Sequence, residues 1–182
     1  KVSAFELGNT FINNHSGDGP LPEERDALCI ACYGEGESFY TLKGAVCQLL
    51  TGLGVKEVCF FPEAGERAYH PGRCAKLLRQ GEEIGVLGEI HPDVAEKYGI
   101  GTRVYCCQLN FDALYAAADH TKSYRPLPKY PAVARDIALT VKEEVLVASL
   151  EDVIRKNGKD ILESVALFDV YRASPSRRGK RA

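Results

Sequence analysis

Two short clusters hold the side chains best suited to chemistry. His70-Pro71-Gly72-Arg73 and Glu89-Ile90-His91-Pro92 offer imidazole, guanidinium and carboxylate, a set that could bind phosphate or run acid-base catalysis if a hairpin brought its members together. The structural alternative is that each histidine serves a turn or cap at a strand end and that Glu89 is satisfied by backbone or by Arg73. A third cluster, Tyr124, Arg125, Lys129, Tyr130 and Arg135, interleaves aromatic rings with cations. That mixture suits stacking on bases and neutralising the backbone of single-stranded nucleic acid, and packing of a linker would account for it equally.

Cysteine chemistry is the next candidate. The seven cysteines include Cys29-Ile-Ala-Cys32, a spacing found in zinc and redox motifs, but no second pair stands at finger spacing. The motif lies in the apolar run Ala27 to Tyr33, which reads as a strand, where residues three apart point to opposite faces. Buried free thiols are therefore expected, and with them a reducing, cytoplasmic setting. Gly85 and Gly88 do not form a phosphate-binding loop of either common kind, and no nucleophile elbow or zinc-protease motif is present. The residues alone supply no complete catalytic site, and no cofactor or metal is expected on this chain.

The elements that must position these clusters follow from periodicity. Val2 to Ile12 and Ala27 to Tyr33 read as strands on either side of a polar glycine-containing loop that holds His15. Leu42, Ala45, Val46, Leu49, Leu50 and Leu53 recur at helical spacing up to Gly54. A short strand from Glu57 to Phe61 precedes a hairpin whose arms, Arg73 to Arg79 and Glu83 to Ile90, flank a turn at Gly81. Pro92 to Tyr98 and Phe111 to Ala118 read as helices on either side of a strand from Arg103 to Leu109. Beyond it, Pro126, Pro128 and Pro131 each fix φ and push the preceding residue out of the helical region, so 124–131 must run extended. Ile137, Leu139 and Val141 then alternate as in a strand, a helix capped by Ser149 runs to Gly158, and Ile161 to Tyr171 reads as a last strand.

Composition sets the frame. A chain of 182 residues with 45% hydrophobic content can bury a core in one or two domains, and its apolar runs are too short for a membrane span. It opens at Lys1 and contains no methionine, so a piece of a longer polypeptide is expected. Residues 1–120 hold 10 basic against 17 acidic side chains, whereas 121–182 hold 13 against 8. The basic excess sits in Arg172 to Arg181, a loop able to meet a polyanion or simply to stay solvated.

Several runs, taken in order, resemble one family. Tyr124 to Val141, Leu162-Glu-Ser-Val-Ala-Leu-Phe-Asp-Val-Tyr171 and Gly179-Lys180 are similar to the ferredoxin-fold anticodon-binding domain that ends the β subunit of bacterial phenylalanyl-tRNA synthetase. Phe5-Glu-Leu-Gly8, Leu21-Pro-Glu-Glu-Arg25, Leu42-Lys-Gly44, His70-Pro-Gly-Arg73 and Gly85-Val-Leu-Gly-Glu-Ile-His-Pro92 resemble the catalytic-like core of the same subunit. The resemblance implies an α+β chain with three parts: a class II synthetase-like antiparallel sheet module over 1–120, a proline-rich linker over 121–134, and part of a ferredoxin-like domain over 135–182.

It also implies a non-catalytic role in joining phenylalanine to tRNA(Phe). ATP and magnesium would be held by an α subunit, the whole enzyme would be an α2β2 heterotetramer, and tRNA would be met through Tyr124, Arg125, Lys129, Tyr130 and Arg135. On this reading His70, Arg73, Glu89 and His91 are structural or interface residues. The complete ferredoxin-like unit has the order β-α-β-β-α-β, with its third strand between the first two. Residues 135–182 supply only the first strand, the helix and the second strand, so their packing is expected to be incomplete. Two other readings stand beside this one: a stand-alone enzyme using His70, Arg73, Glu89 and His91 on a small anion, and a free-standing RNA-binding module.

Overall fold

The computed structural model describes residues 1–13, 21–124 and 126–171. His15, Arg125, the basic stretch Arg172 to Arg181 and the Gly179-Lys180 motif lie outside the described residues. The chain divides into two compact units, Lys1–Arg125 and Pro126–Ala182.

In the first unit the alternation of apolar and polar residues produces six strands. These are β1 (Val2–Ile12), β2 (Glu23–Tyr33), β3 (Val58–Pro62), β4 (Tyr69–Arg79), β5 (Glu82–Ile90) and β6 (Val104–Asn110). They form one sheet in the order β1-β2-β6-β5-β4-β3, and every neighbouring pair is antiparallel. The β4–β5 hairpin turns through Gln80 and Gly81, whose φ angles of 52° and 88° match the tight two-residue turn that suits the twist of paired strands. Gly81 takes the left-handed conformation that a side chain would penalise.

Three helices belong to this unit: α1 (Phe39–Gly52), α2 (Pro92–Lys97) and α3 (Phe111–Ala117). Ser38 starts α1 through a reciprocal cap. The Thr41 amide donates to the Ser38 hydroxyl at 3.2 Å and the Ser38 amide donates to Thr41 Oγ1 at 2.8 Å, satisfying two amides that the first turn would leave unpaired. The expected stripe on α1 buries Leu42, Val46 and Leu50 against Cys32, Leu77, Leu87, Cys107 and Leu109 of the sheet, with Leu114 of α3 alongside. One face of the sheet is thus the floor of the core. The other face carries Cys29, Cys74, Lys76, Gly88 and Cys106, because successive strand residues alternate sides.

Several details of this unit depart from the sequence reading, among them the start of β4 at Tyr69 rather than Arg73. β2 begins at Glu23, four residues before the apolar run, because β1 is long enough to pair with it from Ile12↔Glu23 to Val2↔Tyr33. Cys29 and Cys32 do take opposite faces, but only Cys32 is buried and Cys29 is partly exposed.

The second unit contains α4 (Val147–Gly158) followed by a 3-10 turn at Lys159–Ile161. Ser149 does not cap α4. It sits inside the first turn, where its hydroxyl donates to the Leu146 carbonyl at 2.6 Å, and the capping position, Leu146, has no side-chain bond. The strands predicted at 135–141 and 161–171 do not form among the described residues. A strand exists only through a ladder of hydrogen bonds to a neighbour, and neither segment has one there. Ile137, Leu139 and Val141 accordingly stay exposed, as do Leu167, Phe168 and Val170.

Candidate functional site

Of the four candidate acid-base residues, Arg73 and Glu89 meet. Glu89 is 2% exposed and is the one charged residue in the buried set of the described chain. Arg73 Nη2 donates to its Oε1 at 2.9 Å, and Arg73 Nε stands 2.6 Å from Oε2, an ion-pair contact whose angle falls outside a hydrogen bond. The sheet dictates the encounter. β4 and β5 pair in register from Cys74↔Gly88 to Leu77↔Gly85, and the register shifts on either side of that run, between Tyr69 and Cys74 and between Leu77 and Leu78. Residues 70–73 therefore bulge, which re-aims side chains at the site of the bulge.

Gly88 makes room for this bulge. A Cβ there would lie 2.7 Å from the Arg73 carbonyl oxygen and 3.0 Å from the Tyr69 ring. This is the close backbone approach that a glycine inside a strand signals.

Sequence reasoning missed Arg103, whose Nε lies 3.8 Å from Glu89 Oε1. Its only linear signal is its position just ahead of β6, the strand that sets Tyr105 opposite Glu89. The two arginines and Glu89 line an open cavity of about 540 Å³ together with Pro92, Glu96 and Ile100. Neither His70 nor His91 lines it.

Both histidines are engaged locally. The Gly72 amide donates to His70 Nδ1 at 3.0 Å, and the Asp93 amide donates to His91 Nδ1 at 3.3 Å. His91 is the residue that caps α2, with Pro92 in the first turn. The four side chains therefore act as an ion pair, a turn and a cap. A stand-alone enzyme would need them around one substrate, and they are not so arranged.

A second charged group lies across β4 and β5. Lys76 reaches Glu63 and Glu83 at 3.2 Å and Glu66 at 3.5 Å, and Glu83 first, then Glu63, raise its pKa. Glu63 accepts the Gly65 amide at 2.5 Å. That bond and Lys76 hold its carboxyl below the ordinary value of 4.5, since hydrogen bonds and opposite charges favour the ionised form.

The aromatic and basic candidates are open to solvent. Tyr124 is 87% exposed and closes the described part of the first unit, while Tyr130 is 82% exposed in the second. Lys129 is exposed beside it. Arg135 is exposed too, its Nη1 donating to the Ala134 carbonyl at 3.2 Å. In the second unit, Lys129, Tyr130 and Arg135 thus offer rings and cations on a segment without helix or strand, bent at Lys129 and Tyr130.

Comparison with known proteins places this geometry. Residues 1–111 match the family described as Phenylalanyl tRNA synthetase beta chain CLM domain. The chain belongs to that family. Residues 128–182 match a second family, the Ferredoxin-fold anticodon binding domain. The chain is 43% identical over 178 residues to the phenylalanine-tRNA ligase beta subunit of Clostridium tetani, an alignment spanning 98% of this chain and 22% of that one. It is 35% identical over 192 residues to the subunit of the same name from Shouchella clausii, covering 100% and 24%. The chain thus spans about a quarter or less of these relatives.

A solved pyrrolysyl tRNA synthetase from Desulfitobacterium hafniense superposes with a TM-score of 0.50 at 16% identity, over 62% of this chain and 40% of that one. That likeness concerns the fold alone: an α+β unit on an antiparallel sheet, as in a tRNA synthetase.

Proposed function

We propose that this chain is the non-catalytic core and anticodon-binding portion of the β subunit of phenylalanine-tRNA ligase, the enzyme that uses ATP to join phenylalanine to tRNA(Phe). The first unit, a class II synthetase-like module, supports assembly with the α subunit into an α2β2 enzyme of the cytoplasm. The proline-led segment and the partial ferredoxin-like domain meet tRNA. Tyr124, Arg125, Lys129, Tyr130 and Arg135 supply stacking and charge on that segment.

The observation that carries this reading is the use made of the one promising catalytic cluster. Arg73 and Glu89 neutralise each other while His70 and His91 each accept a neighbouring amide, so the four groups are spent on an ion pair, a turn and a cap rather than gathered around one substrate. The ordered family matches over 1–111 and 128–182 support the same division of labour. On this reading nucleotide and metal chemistry belongs to the α subunit.

The test is co-purification and charging. The complete polypeptide, tagged, should retain the α subunit, and the pair should attach phenylalanine to tRNA(Phe) with ATP. Charging by α alone at the rate of the pair would sink the proposal. Tight tRNA binding by the complete polypeptide without α, with no retention of α, would favour a free-standing RNA-binding module.

A further inference from the structure

The geometry points to a redox modification site on the sheet face away from α1. There Cys29 forms a mixed disulfide with a low-molecular-weight disulfide such as oxidised glutathione, and Cys106 resolves it into a cross-strand disulfide between β2 and β6. The two sulfurs lie 3.4 Å apart, one thiol donating to the other. They are 77 residues apart in sequence and become neighbours because β2 pairs with β6, with Cys29 opposite Gln108 and Ala31 opposite Cys106. Both are partly exposed, so a small reagent can reach the pair.

The other cysteines of these two strands take no part, since Cys32 and Cys107 are buried on the helix-covered face. Groups on two further strands act on the pair. Glu6 of β1 stands opposite Cys29, and Tyr69 of β4 acts on the Cys106 thiol. The hydrogen bond between the two thiols lowers the pKa of Cys29, against the opposing effects of burial and of Glu6. The same bond and burial push Cys106 up. In this scheme Cys29 is the attacking thiolate and Cys106 the resolving thiol, and an attacking thiol is most effective when it ionises near ambient pH.

The chemistry balances. The Cys29 thiolate attacks one sulfur of the glutathione disulfide, forming a Cys29–glutathione bond and releasing one glutathione thiolate. Cys106 loses its proton to solvent and attacks the Cys29 sulfur, expelling the second glutathione thiolate. Two protein thiols are oxidised by two electrons and one glutathione disulfide is reduced to two thiols.

The experiment uses the complete polypeptide with the subunits it carries, reduced, desalted and exposed under native conditions to oxidised glutathione. Digestion with trypsin followed by fragmentation mass spectrometry should find peptide 26–43 joined to peptide 104–122 through Cys29 and Cys106. Cys106→Ser should instead accumulate a stable glutathione adduct on Cys29. Cys29→Ser should slow modification of Cys106 by more than about tenfold. A wild-type protein that yields neither linkage nor adduct at Cys29 overturns the proposal. So does linkage through Cys32 or Cys107 alone, or modification of Cys106 at the wild-type rate in Cys29→Ser.

Discussion

The Arg73 guanidinium closes on the Glu89 carboxylate from one side, at 2.9 Å to Oε1 and 2.6 Å to Oε2. The carboxylate is buried, while the arginine stays partly open to solvent. Truncating Arg73 would leave a buried charge with only Arg103, 3.8 Å away, to offset it. Removing one partner of a buried pair costs far more than the pair is worth. Arg73→Ala is expected to lower stability by about 3 kcal/mol in urea unfolding, and Arg73→Ala with Glu89→Gln should recover part of that loss because the stranded charge is gone. An additive double variant would show that the two side chains are not coupled.

Gly88 and Gly72 offer a matched comparison. A methyl at Gly88 meets backbone of Arg73 and Cys74 at 2.7 and 2.9 Å, whereas at Gly72 it meets only the His70 ring, at 3.5 Å or more. Gly88→Ala should therefore destabilise by about 1–3 kcal/mol through overpacking, and Gly72→Ala by less than about 0.5 kcal/mol as an open surface change. Thermal unfolding of the two variants side by side decides it, and equal shifts would refute the close approach of β4 to β5.

The carboxylates around Lys76 give a pH signature. Glu63 has a folded pKa lowered from 4.5, so its contribution is fully present above that value and is lost as pH falls through the folded value. Lys76 is shifted the other way, and its contribution is complete below 10.5 and lost only as pH rises through its raised folded value. Lys76→Met should shrink the acid-side loss of melting temperature without abolishing it, because the Gly65 amide still bonds Glu63. An unchanged acid limb would show that Lys76 does not hold Glu63 ionised.

Contact with tRNA through the second unit predicts a salt effect. If Lys129 and Arg135 each neutralise a phosphate, replacing both by alanine should weaken tRNA binding by the complete enzyme. The slope of log affinity against log salt should flatten by about one per removed contact. Tyr130→Ala should weaken binding by about 1–3 kcal/mol with the slope unchanged, since stacking carries no counterion release. An unaltered slope in the double variant would remove Lys129 and Arg135 from the interface.

Much of the first unit is legible in the linear pattern, because its signals are local. The stripe Leu42, Val46, Leu50 needs only helical spacing, and the β4–β5 hairpin needs only two alternating runs around Gly81. The strand-like alternations at 135–141 and 161–171 are just as clear in sequence. They stay unpaired among the described residues, because a strand is made by its neighbour rather than by its own residues.

The sequence by itself determined most elements of the sheet module and the family they belong to. Residue types, glycines and prolines act over a few neighbours, and that information is written along the chain. Tertiary structure decided which side chains meet. The β4 bulge turned Arg73 onto Glu89, Arg103 approached the same carboxylate from the start of β6, and the β2–β6 register set Cys29 against Cys106. Each depends on long-range register and sheet side, and a one-residue slip would send every one of these side chains to the other face.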